Sequence, residues 1–190
     1  MYEEKILVID YGSQYTQLIA RRIRENKAYC EVLKPESLNN LKTYKNIIGL
    51  ILSGGPNSVS KDDQYDLPDI LFEKCIPVLG ICFGMQLICK KFNGEVKEST
   101  SREYGKSNLD IIQNNKIFEG LENSIEVWMS HGDSVIKCPK DFSILATTNK
   151  EGLSAIKLND KDIYGIQFHP EVTHTLDNGK IIFNFVNNIC

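Results

Sequence analysis

The sequence predicts an α/β fold, in which helices flank an open, mixed and mainly parallel sheet. The first half alternates unbroken apolar segments with amphipathic ones, which is typical of parallel strands covered on both faces. The second half contains short, closely spaced strand candidates with hairpin-like connections, which predict an antiparallel or mixed extension. The chain has 190 residues, of which 42% are hydrophobic and 25% charged. That is enough for one globular domain with a substantial core.

The elements of the first half follow from apolar periodicity. Lys5 to Asp10 is an apolar strand, and Ser13 is a candidate cap for the amphipathic helix that follows. Ile48 to Leu52 is a second core strand. A helix around Leu67 to Lys74 precedes another strand, which ends just before Cys82. An amphipathic helix is predicted to start immediately after this cysteine.

The second half is predicted to contain five short strands and a closing helix. The strands are Ile125–Met129, Ser134–Lys137, Ser143–Thr148, Ser154–Leu158 and Ile163–Phe168. The helix carries one apolar face, made of Ile181, Ile182, Phe185, Val186 and Ile189. Because the chain has no internal repeats and no low-complexity tracts, we expect a single domain over residues 1–190.

Charge and hydropathy exclude several classes of function. The net charge is −3 and the isoelectric point is about 5.7, so neither nucleic acid nor an anionic membrane is an expected partner. No apolar run approaches the ~20 residues of a transmembrane helix. The first residues lack a signal-peptide pattern, so the expected location is the cytoplasm. The six cysteines are expected to be thiols there, and none is spaced as the Cys-x-x-Cys of a zinc knuckle.

Cys82 is the candidate nucleophile. It follows an apolar strand and lies between Gly80 and Gly84, which is the cysteine form of a nucleophile elbow. The glycines permit a tight turn, and the N-terminus of the following helix favours a thiolate. The N–H groups of Gly55 and Phe83 could form an oxyanion hole. The Gly-Gly-Pro turn is not a Walker P-loop, so ATP binding by this chain is not expected.

His169 is the candidate base, and Glu171 is the candidate carboxylate that orients it. They belong to a His-Pro-Glu sequence at the end of a predicted strand, where residues i and i+2 point the same way. A carboxylate on one ring nitrogen leaves the other nitrogen free to face the thiol. His131, in a predicted polar turn with Asp133, is a rival base, whereas His174 has no comparable partner. We expect no metal site from these scattered histidines.

The combined motifs resemble the class-I (triad) glutamine amidotransferases along the whole chain. The shared pattern is Gly-x-Cys-x-Gly-x-Gln around Cys82, followed much later by the His-Pro-Glu sequence at His169. Finer motifs are similar to the amidotransferase domain of the GMP synthetase family. These motifs are Asp10–Arg22, Leu52–Pro56, Arg102–Gly105, Trp128–Asp133 and His169–Thr175. The resemblance implies a flavodoxin-like fold.

The resemblance also implies a reaction and its substrate contacts. Cys82 would attack the side-chain carboxamide of glutamine, and His169 would protonate the departing ammonia, leaving a glutamyl thioester that water hydrolyses. The implied glutamine-binding residues are Gly54, Gln86, Ser130, His131, Gly132 and Asp133.

A synthetase partner follows from the same resemblance. GMP synthetases use ATP and Mg²⁺ to aminate XMP, so an ATP pyrophosphatase domain after Cys190 is expected, or else a separate synthetase subunit. No cofactor is expected in this chain itself. Three alternatives stay open: the amidotransferase subunit of another biosynthetic synthetase, a related cysteine hydrolase of the peptidase or deglycase type, and a non-catalytic flavodoxin-like domain. Deglycase-type enzymes commonly place a histidine where this chain has Phe83.

Overall fold

The computed structural model describes residues 4–61, 64–73, 75–149, 152–177 and 179–190, with only the backbone at 99–103. Its strands are β1 (Lys5–Ile9), β2 (Tyr29–Leu33), β3 (Ile47–Leu52), β4 (Val78–Ile81), β5 (Glu95–Ile111), β6 (Ser124–Lys137), β7 (Phe142–Thr148), β8 (Gly152–Leu158) and β9 (Ile163–Ile166). Its α-helices are α1 (Thr16–Glu25), α2 (Ile70–Glu73), α3 (Phe83–Lys91) and α4 (Lys180–Asn184). Short 3₁₀ segments span Pro35–Thr43 and Lys116–Phe118, and a π-helical turn over Phe185–Ile189 continues α4. Within the described ranges, no helix has the length and apolar character needed to cross a membrane.

The strands form one nine-stranded sheet in the order β2-β1-β3-β4-β9-β8-β7-β5-β6. Strands β2, β1, β3, β4 and β9 pair in parallel. The remaining strands extend the sheet in antiparallel pairs beyond β9. The predicted mixed sheet with parallel strands at its core and helices on its faces is therefore confirmed.

The parallel strands β1, β3, β4 and β9 are largely buried on both faces, as their apolar sequences predict. Successive side chains of a strand point to opposite faces. In β1, Ile6 and Val8 pack into the cluster that includes apolar residues of α1 and α4, whereas Leu7 and Ile9 pack into the cluster that includes α3. Two apolar layers thus hold the sheet between its helices.

The turn from β4 into α3 depends on two glycines that approach the backbone closely. A Cβ atom at Gly80 would lie 2.6 Å from the backbone of Gly84. A Cβ atom at Gly84 would in turn overlap the carbonyl oxygen of Leu52. Side chains at either position would push α3 away from β3 and β4, so the glycines fix where Cys82 sits at the strand end.

The prediction of a polar turn at Ser130–Asp133 is wrong, because this segment lies inside strand β6. Ser124–Lys137 is one continuous strand rather than two. The interruption of regular pairing lies on the neighbouring strand β5. There the register shifts between Glu98 and Glu103, which pair with Asp133 and His131 of β6. Gly132 therefore marks a bulged region of the sheet, which is a common position for a glycine within a strand.

Two helix starts also differ from prediction. Helix α1 begins at Thr16 without a side-chain cap, and the Ser13 hydroxyl instead accepts the N–H of Tyr15 within the preceding turn. Helix α2 begins only at Ile70, because the residue before Pro68 is disfavoured in helical conformation. The predicted end of this helix, residue 74, lies outside the described residues.

Strands β2 and β5 were not predicted from the sequence. Strand β2 is short, and only one of its residues is fully buried. Strand β5 is rich in polar residues, so it lacks the apolar alternation by which strands are recognised. Strand β9 ends at Ile166, earlier than predicted.

Candidate active site

The site lies where the parallel strands end. Strands β1, β3, β4 and β9 run in the same direction, so the segments that follow them meet at one edge of the sheet. Strand β6 supplies the segment Ser130–Asp133 from the antiparallel part. Together they enclose a cavity of about 510 Å³. Its lining includes these predicted site residues: Gly55, Cys82, Phe83, Gln86, Ser130, His131, Gly132, Asp133 and His169.

Cys82 occupies a strained elbow between β4 and α3. Its backbone has φ +52° and ψ −105°, a conformation that residues with a side chain rarely adopt. Its N–H donates to Ile166 of β9 at 2.7 Å, and its thiol donates to the Ser130 carbonyl oxygen at 3.7 Å. Cys82 is 4% exposed and lines the cavity, so the cavity is the route by which a substrate reaches it.

The imidazole of His169 lies between the thiol and a carboxylate. Its Nδ1 is 2.7 Å from Oε1 of the fully buried Glu171. Burial alone would lower the pKa of His169, but the Glu171 carboxylate and a hydrogen-bonding contact with Cys82 outweigh it and raise the pKa well above 6.5. At neutral pH the ring is therefore an imidazolium beside the cysteine.

The backbone around His169 is fixed by β6 and by the segment that follows the His-Pro-Glu sequence. The N–H of His169 donates to the Trp128 carbonyl at 3.0 Å. The Thr175 hydroxyl donates to the His169 carbonyl at 2.6 Å and accepts the Trp128 N–H at 3.0 Å. The Tyr15 ring meets the imidazole edge-on at 5.1 Å. The hydrogen bonds thus fix the backbone of His169, while Glu171 and Tyr15 contact its ring.

The glycine pair after β3 presents bare backbone to the site. The N–H groups of Gly55 and Phe83 have no acceptor among the described residues. A Cβ atom at Gly54 would lie 3.1 Å from Cε1 of His169 and 3.7 Å from Cβ of Cys82. Gly54 does not line the cavity itself, but without a Cβ atom it lets this loop approach the histidine and the cysteine without crowding their side chains.

The side chains of Asp133 and Gln86 are both fixed by hydrogen bonds to other residues of the chain. Oδ2 of Asp133 accepts from the Ser58 hydroxyl at 2.6 Å and from the N–H and hydroxyl of Ser60 at 3.2 and 3.1 Å. The side-chain amide of Gln86 donates to the Asp133 carbonyl at 2.8 Å and to Oε1 of Gln167 at 3.4 Å. Both amide hydrogens of Gln86 are thus used, and only its carbonyl oxygen is left for a ligand.

His131 lies in the cavity wall but differs from His169 in its charge state. Burial lowers the pKa of His131 to about 4, and the neighbouring His169 adds to this effect. The ring is therefore neutral at pH 7, whereas Cys82 is among the groups that raise the pKa of His169. His174 is exposed and its ring lies 4.6 Å from the ring of Trp128. In the described part of the chain, no cluster of His, Cys, Asp and Glu side chains is suited to a metal ion.

Several residues of the site were missed by sequence reasoning. Gln167 donates from Nε2 to the Cys82 sulfur at 3.8 Å, and its i−2 position relative to His169 at the end of the predicted strand could have indicated it. Ser58 and Ser60 come from a loop whose sequence is typical of any turn. Lys61 and Glu98 form an ion pair of 2.7 Å at the cavity mouth, which no local pattern could indicate. Side chains at 102 and 103, part of one resembling motif, lie outside the described residues.

The sequence of the whole chain fits one known family. The family model for glutamine amidotransferase class-I matches residues 7–189. The chain belongs to this family. The family match favours an amidotransferase over the peptidase or deglycase type and over a non-catalytic flavodoxin-like domain.

Curated relatives within the class-I glutamine amidotransferases are longer than this chain. The GMP synthase [glutamine-hydrolyzing] of Aliivibrio fischeri is 42% identical over 190 residues, which is 100% of this chain and 37% of that protein. The enzyme with the same name from Clostridium botulinum is 44% identical over 191 residues, which again cover 100% of this chain and 37% of that protein. The chain therefore spans about 37% of the length of these relatives.

Solved structures share the amidotransferase fold. A protein from Thermoplasma acidophilum, described as belonging to a GMP synthase, superposes with a TM-score of 0.85 at 31% identity and covers 98% of this chain and 94% of its own. A glutamine amidotransferase from Thermotoga maritima superposes with a TM-score of 0.69 at 22% identity, covering 90% of this chain and 78% of its own. The second likeness concerns the fold alone.

The buried His131 is expected to make the protein less stable in acid. Its pKa of about 4 lies below its usual 6.5, so between these values the unfolded chain binds a proton that the folded protein does not. The free energy of unfolding should therefore fall as the pH drops from about 6.5 to about 4, by about 3 kcal/mol from this residue. Denaturant unfolding at neutral and acid pH should show a smaller acid loss for His131→Asn than for the parent.

The exposed His174→Asn is the matched control and should keep the acid loss of the parent. Carboxylates that also lose stabilising contacts in acid are common to all three proteins, so they cancel in the comparison. An equal acid loss in His131→Asn and the parent would contradict the assignment of a buried neutral His131.

Proposed function

We propose that this chain hydrolyses glutamine to glutamate and ammonia through a glutamyl thioester on Cys82. The observation that carries the proposal is that Cys82 and His169 line one cavity, while Glu171 lies behind the cavity wall with its Oε1 2.7 Å from Nδ1 of His169. Family membership supports the same substrate, because class-I glutamine amidotransferases are defined by it. The reaction needs no metal and no cofactor in this chain.

In the first step, the Cys82 thiolate attacks the side-chain carbonyl carbon of glutamine. The oxygen becomes an oxyanion, which the N–H groups of Gly55 and Phe83 are placed to receive. The tetrahedral intermediate then collapses and breaks the C–N bond. The His169 imidazolium gives its proton to the departing nitrogen, so ammonia leaves and a thioester remains. A raised pKa of His169 supports this role, because the proton is already on the ring.

In the second step, water hydrolyses the thioester. The neutral His169 takes a proton from the water molecule as its oxygen attacks the thioester carbon. The C–S bond then breaks, glutamate leaves, and the cysteine returns to its thiolate beside an imidazolium. The Glu171 carboxylate stabilises that imidazolium and holds the ring orientation in both steps. Splitting one amide hydrolysis into two acyl transfers lowers each barrier.

The α-amino and α-carboxylate groups of glutamine are proposed to bind along β6. Gln86 can offer only its carbonyl oxygen, since both its amide hydrogens are used, so it suits the substrate ammonium group. The Asp133 carboxylate suits the same group. His131 and the backbone of Ser130 and Gly132 would complete the pocket around the substrate. Gly54 would act indirectly, since it lets its loop approach His169 and Cys82.

Only Cys82 is expected to react with an electrophilic glutamine analogue. The other five cysteines are Cys30, Cys75, Cys89, Cys138 and Cys190. Peptide mapping of the labelled protein should find the adduct on Cys82, and Cys82→Ala should lower glutamine hydrolysis by ~10³ or more. The exposed Cys75→Ala is the matched control and should keep full activity. Labelling at another cysteine, or a fully active Cys82→Ala, would contradict the mechanism.

We further propose that the ammonia is used to aminate XMP to GMP, with ATP and Mg²⁺ bound by a synthetase part. The names of the relatives support this assignment, and their greater length leaves room for such a part. An ATP pyrophosphatase domain following residue 190 is the preferred arrangement, and a separate subunit is the alternative. Free ammonia is protonated in neutral water and loses its nucleophilicity, so direct transfer favours such coupling. The cytoplasm is the proposed location.

The synthetase assignment is tested by supplying nitrogen in two forms to the intact protein with its synthetase part. With glutamine, ATP, Mg²⁺ and XMP, the parent should form GMP, and XMP with ATP should raise glutamine turnover. Cys82→Ala should form no GMP from glutamine but should still form it from an ammonium salt. If the parent hydrolyses glutamine yet forms no GMP from either source, the GMP assignment is wrong and the glutaminase assignment stands.

A further inference from the structure

A chain of buried amide hydrogen bonds leads from β6 to the sulfur of Cys82. The Gln86 side-chain amide donates to the Asp133 carbonyl at 2.8 Å and to Oε1 of Gln167 at 3.4 Å. Nε2 of Gln167 then donates to the Cys82 sulfur at 3.8 Å. Gln86 and Gln167 are 3% and 1% exposed, so water does not compete for these bonds.

One backbone carbonyl fixes the direction of the whole chain. A peptide carbonyl can only accept, so the Asp133 oxygen requires the nitrogen of the Gln86 amide at its end. The second hydrogen of that nitrogen requires the oxygen of the Gln167 amide. The nitrogen of Gln167 is thereby turned toward Cys82. The opposite orientation of either amide would bring two acceptors, or two donors, face to face.

The contact with Gln167 distinguishes the thiolate from the thiol. In the thiol form, the Cys82 S–H donates to the Ser130 carbonyl oxygen at 3.7 Å. On ionisation this bond disappears, and the negative sulfur faces a carbonyl oxygen. The N–H of Gln167, in contrast, bonds more strongly to a negative acceptor than to a neutral one. A donor of this kind favours the charged form of the group it contacts.

We propose that Gln167 stabilises the thiolate of Cys82, and that the Asp133 carbonyl, acting through Gln86, aims its N–H at the sulfur. The inference rests on the proposed role of Cys82 as the nucleophile. It adds a second donor to the nucleophile from the segment after β9, which already carries His169. Gln167 itself is anchored, because its N–H donates to the Ser154 carbonyl at 2.9 Å.

Other ionisable groups line the cavity that holds the sulfur or contact His169, and they have to be held constant in any test. They are His169 and Glu171 after β9, His131 and Asp133 on β6, Tyr15 before α1, and Lys61, Glu98 and Tyr104 at the cavity mouth. None of them is altered by a substitution at Gln167. Their contributions are therefore common to the parent and to each Gln167 variant.

The test is the pH dependence of Cys82 alkylation by iodoacetamide in the intact protein, followed by peptide mass spectrometry. Gln167→Met keeps the length of the side chain and removes the donor. The pH midpoint of alkylation should rise by about one unit, the size expected for losing one hydrogen bond to a charged group. Glutamine turnover should fall about tenfold on the acid side and recover at high pH. A loss of packing alone would lower activity equally at all pH values.

Two further variants make the result decisive. Gln167→Leu lacks the N–H and adds no ionisable group, so its midpoint should rise as far. It decides the matter if thermal unfolding shows that Gln167→Met does not fold. The exposed Gln113→Met should behave as the parent. An unchanged alkylation midpoint in a folded Gln167 variant would overturn the proposal. Because alkylation needs no glutamine, this outcome is distinct from an active Cys82→Ala, which would overturn the proposed function instead.

Discussion

The strained backbone at Cys82 is the constraint on which the rest of the site depends. A residue with a side chain is held at φ +52°, and this cost of about 1–3 kcal/mol is sustained by the packing around it. Gly80 and Gly84 allow β4, α3 and β3 to approach closely enough to hold the turn. The Cys82 N–H bond to Ile166 ties the elbow to β9, the strand that leads into His169. The thiol and the imidazole are thus placed by one pair of neighbouring strands.

Much of this arrangement can be predicted from local patterns in the sequence. The glycines beside Cys82 and the i, i+2 spacing of His169 and Glu171 each reflect a rule of backbone geometry that acts within a few residues. The parallel core can also be predicted from local sequence, since β1, β3 and β4 are apolar on both faces. The meeting of the strand ends then follows from parallel pairing, because such strands share one carboxyl edge.

Other parts of the site depend on contacts between residues far apart in the chain. The segment Ser130–Asp133 looks like a turn because of its glycine, yet pairing with β5 makes it part of a long strand. The role proposed for Gln167 depends on its hydrogen bonds with Gln86 and Cys82, which lie on other elements of the fold. The charge states of His131 and His169 also depend on contacts with residues outside their immediate sequence. Burial dominates at His131, whereas the carboxylate of Glu171 reverses its effect at His169.

The central claim is that the reaction passes through a covalent bond between Cys82 and the glutamyl group. The most direct test is to mix the intact protein with glutamine, quench in acid within the first turnovers, and map the cysteine peptides by mass spectrometry. We predict a glutamyl adduct on the Cys82 peptide that decays as glutamate appears and that is absent from the other cysteine peptides. Rapid glutamate formation with no adduct on Cys82 at any quench time, or an adduct on another cysteine, would contradict the account.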